Sequence, residues 1–216
     1  MNGFTLKCIA ALTMLLDHIG AVLFPQYRWL RCIGRIAFPV YCFLLMEGYR
    51  HTKSVKKYLM RLGIFALVSE IPFNLAFYNA MAVRGMNVYF TLFLGLMAAW
   101  LCDIIRASSQ RYGVLGYGAF VLAGLAAMGL KSDYRYYGIA LIFVFYQFGS
   151  EKVTQAVLSA LIFGLMSRIQ MYGLMALVPI FTYNGKRGPN HKIITACFYL
   201  FYPVHLIILY EIKRCL

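Results

Sequence analysis

Apolar residues run along this chain in long blocks, separated by short basic or glycine-containing stretches. The blocks fall at roughly 5–24, 33–49, 58–79, 88–106, 112–130, 136–149, 153–167, 170–183 and 192–212. About 20 apolar residues in a helix cross a hydrocarbon core of about 30 Å, and backbone in lipid must satisfy its own polar groups. The pattern therefore predicts an all-α, polytopic integral membrane protein forming a single domain over 1–216. It gives about nine transmembrane helices, with eight or ten as alternatives. Blocks 136–149, 153–167 and 170–183 are short for a full crossing, so tilted, re-entrant or merged segments are the alternatives there. Pro72 and Pro203 fall inside blocks. Each removes a backbone donor and frees a carbonyl, a kind of break that commonly faces a cavity.

Composition sharpens this picture. The chain is 62% apolar and 13% charged, against about 25% charged in soluble domains. Its net charge of +14 comes from 21 Lys and Arg against 7 Asp and Glu. On a soluble protein that balance would point to nucleic acid. Here the cations lie between the apolar blocks, which points to topology and lipid headgroups instead. A site for a phosphorylated ligand is a second, compatible use of the charge. Taking the nine blocks as spans, 12 cations (Arg106 and Arg111 among them) share the N-terminal side and 9 the other. The excess predicts a cytoplasmic N-terminus, anchored most strongly by RHTKSVKKYLMR at 50–61. The six cysteines show no CxxC pair and no zinc-like spacing, so no redox or metal role is assigned. The first block is too long for a signal-peptide core and is read as a span.

Few residues remain that can carry chemistry. Asp17, Glu47 and Glu70 lie in or beside apolar blocks, where an unpaired acid costs about 2.5–3.5 kcal/mol. Arg35, Arg61 and the buried histidines are the available partners. His18 stands eleven residues after Lys7, which places both on one helix face about 16 Å apart. A histidine near neutral pKa is the usual general base, and a neighbouring carboxylate can orient it. Adjacent residues on a helix diverge by about 100°, so Asp17 and His18 need not bond each other. Asp17 can instead hold a cation from another helix. His205, in YLFYPVHL, follows Pro203 and can face the same cavity. Polar groups also cluster in SEIPFN (Ser69, Glu70, Asn74) and NVYFTLFLG (Asn87, Thr91), where the asparagines and the threonine can act as oxyanion donors or as interhelical glue. For every one of these groups a purely structural pairing is the competing explanation. Phosphate-loop, HExxH and GxSxG patterns are absent from the sequence.

Six linked segments carry a resemblance: LKCIAALTMLLDHIG, RCIGRIAFPVYCFLLMEGYRHT, KKYLMRLGIFALVSEIPFN, NVYFTLFLG, DYRYYG and YLFYPVHL. In this order, over nearly the whole chain, they resemble the TraX family, whose founding member is associated with N-acetylation of conjugative pilin. A basic residue, ten residues, then histidine is also similar to the signature of the membrane acyltransferase-three family. The resemblance implies acyl transfer from cytoplasmic acyl-CoA, with acetyl-CoA the expected donor, to an amine or hydroxyl on a peptide amino terminus or a cell-surface glycan. It makes His18 the catalytic histidine, with Asp17, Glu47, Glu70, His205 and Arg35 in support. Lys7 stands where that signature most often has arginine, keeping the charge without the bidentate fork.

A CoA headgroup needs cations for its phosphates. Lys53, Lys56, Lys57, Arg61, Lys186 and Arg187 lie on the expected cytoplasmic side and join Lys7 and Arg35 in the donor set. Asn74, Thr91 and Tyr202 are the expected acceptor contacts. His18 would take the acceptor's proton during direct attack on the thioester, with an acyl-histidine intermediate as the alternative. The implied setting is a bacterial inner membrane; partners are acyl-CoA, the acceptor and the bilayer, with no nucleic acid, and a homo-oligomer is compatible. Two other classes compete. One is a proton-coupled transporter relaying protons through Asp17, His18, Glu47 and Glu70; the other is a subunit of a pilus or secretion assembly.

Overall fold

The computed structural model describes residues 1–79, 84–108 and 113–216, and among them it is helical with no strand. The first helix, α1 (Gly3–Val22), starts where Asn2 accepts a hydrogen bond from the Thr5 amide at 2.9 Å. Its first amides have a further use. Gly3 N–H donates to the Lys186 carbonyl at 2.8 Å, and Phe4 N–H to that of Arg187 at 3.1 Å. The orphan donors of the first turn are thus satisfied by a late loop, and the N-terminus is docked on residues 182–187.

Helices α2 (Arg28–Gly34) and α3 (Ala37–His51) continue one another as a single apolar stretch of 24 residues. Gly34 lets this stretch approach α1, because a β-carbon there would overlap the backbone and β-carbon of Asp17. Helices α4 (Val55–Val68) and α5 (Glu70–Tyr78) follow, bent by 41° at Ser69. Then come α6 (Val88–Ser108), α7 (Gly118–Gly129), α8 (Arg135–Gln147), α9 (Lys152–Met166), the short α10 (Leu177–Phe181) and α11 (Lys192–Cys215).

Among the described residues, four helical stretches are long and apolar enough to cross a membrane: Gly3–Val22, Arg28–His51, Val88–Ser108 and Lys192–Cys215. Taking α4 with α5 as one broken crossing makes five. The nine spans expected from the apolar blocks are therefore corrected to four or five. Blocks read as separate crossings fold as helices of 12, 13 and 15 residues in α7, α8 and α9. At 1.5 Å per residue these rise only about 20 Å, short of the hydrocarbon thickness. Arg111 and the first residue of block 112–130 lie outside the described residues.

Interior and exterior are both apolar, as a membrane requires. Leu6, Met46, Leu96, Leu141 and Ile142 are sealed in the core, whereas Leu67, Leu122 and Leu165 are about 70% exposed on the outer faces. With apolar surface on both sides, burial alone cannot fix how the helices meet, and close packing with interhelical hydrogen bonds takes that role.

One such network holds the bend. Glu70 Oε1 accepts from Asn74 Nδ2 at 2.9 Å, and Oε2 accepts from Asn87 Nδ2 at 2.6 Å and the Asn87 amide at 3.3 Å. The two asparagines cannot turn around. Each carbonyl oxygen accepts a backbone amide, Arg84 on Asn74 at 3.1 Å and Tyr89 on Asn87 at 3.0 Å. The carboxylate opens α5, where the helix dipole favours negative charge. Glu70→Gln would point an NH₂ group at another NH₂ group. A buried polar group left unpaired costs about 1–3 kcal/mol. The expected result is a lower unfolding midpoint for the detergent-solubilised protein; an unchanged midpoint would show that the clamp is not stabilising.

Candidate functional site

The late helix α11 runs through Pro203 at its centre, and one turn of it positions His205 against a histidine of α1. His205 Nδ1 lies 2.6 Å from the Phe201 carbonyl, and His205 Nε2 lies 2.6 Å from His18 Nδ1. A carbonyl only accepts, so His205 Nδ1 carries the hydrogen, and in the neutral ring Nε2 is left as an acceptor. His18 Nδ1 must then be the donor. By elimination His18 Nε2 bears the free lone pair, and among the described residues nothing hydrogen-bonds to it. The two imidazoles are nearly coplanar, at 9°, with centroids 4.9 Å apart. A nitrogen separation of 2.6 Å excludes face-to-face overlap, so the rings lie edge to edge. Both side chains are buried, with Phe77 and Tyr202 packed edge-on against His18.

Asp17 does not bond to His18. It forms ion pairs with Arg35 and, at 3.0 Å, with Arg31 Nε. The spacing of RCIGR sets this geometry: Arg31 and Arg35 are one helical turn apart, and the intervening Gly34 brings both up to α1. Arg35 also donates to the Tyr134 hydroxyl at 3.4 Å, and the Tyr134 ring stacks on Phe38. The acid and the histidine that adjoin in sequence thus belong to separate networks.

Two cavities approach the histidine pair from opposite ends. The first, of 420 Å³, opens at the end that carries Met1 and is lined by Lys7, Arg61 and Arg187, by Glu47 and His51, and by several tyrosines. Glu47 accepts from the Tyr183 hydroxyl at 3.0 Å and lies 3.5 Å from His51 Nδ1. Burial, reinforced by the Glu47 carboxylate, pushes the Tyr183 phenol up to about 12, so it stays a hydrogen-bond donor at neutral pH. Arg61 lies over the Tyr58 ring and Lys7 over that of Phe198. The second cavity, of 380 Å³, opens at the far end among Phe73, Tyr78, Asp133, Tyr134, Arg135 and Gln170. Its rim is a strained loop: Lys131, Tyr134 and Arg135 all have positive φ, of 51°, 63° and 45°. Asp133 and Ser132 on that loop accept from and pair with Thr91.

His18 lines neither cavity. On each side a ring that lines the cavity meets a second ring that touches His18. Tyr89 belongs to the first cavity and meets Tyr202, which meets His18; Phe73 belongs to the second and meets Phe77, which also meets His18.

Among the residues singled out from the sequence, His18, His205 and Tyr202 come together. Lys7, Glu47, Arg61 and Arg187 form a second group at the first cavity. Lys53, Lys56, Lys57 and Lys186 are exposed and do not line it. Arg35 is held by Asp17, and Glu70 with Asn74 forms the bend clamp. The amide of Asn74 and the hydroxyl of Thr91, read as oxyanion donors, are already bonded within the protein. Sequence reasoning passed over Arg31, Tyr89 and Tyr134. Arg31 had a usable signal, since it shares a helix face with Arg35. The two tyrosines had only their place in the NVYFTLFLG and DYRYYG segments.

Comparison with known proteins agrees with the span of these motifs. A family model described as TraX protein matches residues 2–213. A probable fimbrial assembly protein FimC, serogroup H1, of Dichelobacter nodosus is 32% identical over an alignment of 250 residues, covering 100% of this chain and 97% of that protein. An uncharacterized protein of Rickettsia prowazekii (strain Madrid E) is 33% identical over 90 residues, 42% of this chain and 33% of that one. No solved structure matches. With a family model covering nearly the whole chain and a relative aligned end to end, this membrane protein belongs to the TraX family.

Proposed function

We propose that the chain is a membrane-embedded acyltransferase that moves an acetyl group from acetyl-CoA to an amine or hydroxyl, with His18 Nε2 as general base. The observation that carries it is the oriented imidazole: a neutral His18 whose Nδ1–H is spent on His205 and whose Nε2 is free. Such a ring is ready to accept a proton from an attacking nucleophile. In the reaction the acceptor's N or O forms a bond to the acyl carbon as the C–S bond breaks. Its proton passes to His18 Nε2 and then to the departing CoA sulfur.

The first cavity suits the donor. Its volume is in the range of ligand pockets. Lys7, Arg61 and Arg187 supply charge for phosphates, and its aromatic walls suit the adenine and the pantetheine arm. The second cavity, with its carboxylate, hydroxyls and phenols, suits a polar acceptor arriving from the other end. The fimbrial-assembly name of the Dichelobacter relative favours the amino terminus of a pilus subunit as that acceptor. On this scheme the chain sits in the bacterial inner membrane with the Met1 end in the cytoplasm.

A proton-coupled transporter is less well supported. Asp17, Glu47 and Glu70 are each bonded within separate clusters, and among the described residues none of the three bonds to His18 or His205.

The test uses the full chain in lipid nanodiscs with CoA and with acetyl-labelled acetyl-CoA. Calorimetry should show saturable CoA binding, weakened about tenfold or more by either Arg61→Ala or Arg187→Ala, since a hydrogen bond to a charged group contributes about 1.5–3 kcal/mol. Label should leave CoA in the presence of bacterial membranes as acceptor source. Absence of both binding and label transfer would contradict the proposal.

A further inference from the structure

The screen between the first cavity and His18 has a specific construction. Pro203 lacks a backbone N–H, so the carbonyl of Tyr199, four residues earlier, loses its helical partner. The Tyr89 hydroxyl takes that place, donating to the Tyr199 carbonyl at 3.1 Å. Tyr89 is thereby held across the cavity floor, on a helix that starts beside the Glu70 clamp. Its ring meets Tyr202 edge-on, with centroids 5.2 Å apart at 84°. Tyr202 in turn lies 5.8 Å from both His18 and His205, is 3% exposed, and does not line the cavity.

The two rings are therefore held differently. Tyr89 lines the cavity and is held at its floor by the rings of Phe65 and Tyr199 and by one hydroxyl–carbonyl bond, which by itself biases the ring by about tenfold at most. That bond is weak enough for a ligand to displace. Tyr202 touches Tyr89 and both histidines, is buried, and lines neither cavity, so it has no open space to enter.

We infer that Tyr89 is a latch and Tyr202 a stop, and that together they set the length of the acyl group the protein accepts. This rests on the acyltransferase reading. With the phosphates of CoA fixed by Lys7, Arg61 and Arg187 at the mouth, the acyl group is the end that leads toward the floor. Displacing the Tyr89 ring opens a slot that ends on the Tyr202 ring, alongside His18. A two-carbon group fits such a slot. Each further methylene presses on a side chain that close packing prevents from yielding.

Calorimetry on the full chain in nanodiscs, with CoA, acetyl-CoA and hexanoyl-CoA as the probes, tests this. The wild type should bind hexanoyl-CoA at least about tenfold more weakly than acetyl-CoA, the lower end of what a pocket achieves against added methylenes. Tyr202→Ala and Tyr202→Leu should bring that ratio to about unity by removing the stop. Tyr89→Phe, which keeps the ring and loses the latch, should leave the ratio at its wild-type value. If the wild type binds CoA but does not discriminate by length, the sieve is overturned whatever the variants do. The same follows if either Tyr202 variant folds and keeps the wild-type ratio. Failure to bind CoA at all would overturn the donor cavity, and the sieve with it.

Discussion

Replacing His18 with alanine should lower acetyl transfer by about 10²–10⁴-fold, the usual contribution of a positioned general base. The more informative variants are at His205, which touches neither cavity. Its role is to receive the His18 Nδ1 hydrogen and so to leave Nε2 bare. His205→Ala removes the acceptor and frees His18 to take the opposite tautomer. A loss of about 10–100-fold is expected, the size seen where a partner that fixes a histidine's tautomer is removed from a metal site. His205→Gln still offers a carbonyl oxygen and should retain more activity than His205→Ala. Label transfer from acetyl-CoA checks the order: wild type, then His205→Gln, then His205→Ala, then His18→Ala. Equal losses in both His205 variants would mean that the contact is only packing.

The largest effect on folding is expected at Asp17. Its carboxylate answers two guanidinium groups, and the Arg35 side chain is only 8% exposed while that of Arg31 is 35% exposed. Asp17→Ala leaves Arg35 buried without its paired carboxylate, a change that costs about 3–5 kcal/mol. Against a typical total of about 5–15 kcal/mol, that is a large share of stability. Arg31 can turn to water, so Arg31→Ala should cost much less than Asp17→Ala. Asp17→Asn keeps an acceptor oxygen and should fall between the two. Thermal unfolding followed by size-exclusion recovery in detergent would reveal this order. Equal midpoints for wild type and Asp17→Ala would show that Arg35 finds another partner.

The apolar blocks made the helical class legible, because lipid leaves a long apolar segment little other choice. Their number did not give the number of crossings. Blocks such as 136–149 and 153–167 are apolar enough for lipid yet fold as helices of 13 and 15 residues. Local pattern also placed Lys7 and His18 on one face of α1, but only Lys7 reaches the first cavity. The cavity ends at Tyr89 of α6, and His18 lies behind that floor in contact with Tyr202 of α11. The pairing of His18 with His205 spans 187 residues, a separation that no periodicity can register. Asp17 shows the opposite case. Its partners lie in and at the end of the next helix, and the RxxGR spacing with its glycine holds the information needed to find both. Glu70 and Asn74 lie one turn apart on α5, so their bond was readable, whereas the second asparagine comes from the start of α6.

The central claim is that His18 Nε2 is a bare base that bound acetyl-CoA can reach. Nitrogen-15 spectra of histidine-labelled protein in nanodiscs test it most directly, with His18 assigned by the His18→Gln variant. The account predicts a neutral ring protonated at Nδ1, with an Nε2 resonance that shifts on adding acetyl-CoA and does not shift in Arg61→Ala, Arg187→Ala protein at the same concentration. A His18 ring carrying its hydrogen on Nε2, or one indifferent to saturating acetyl-CoA, would contradict it.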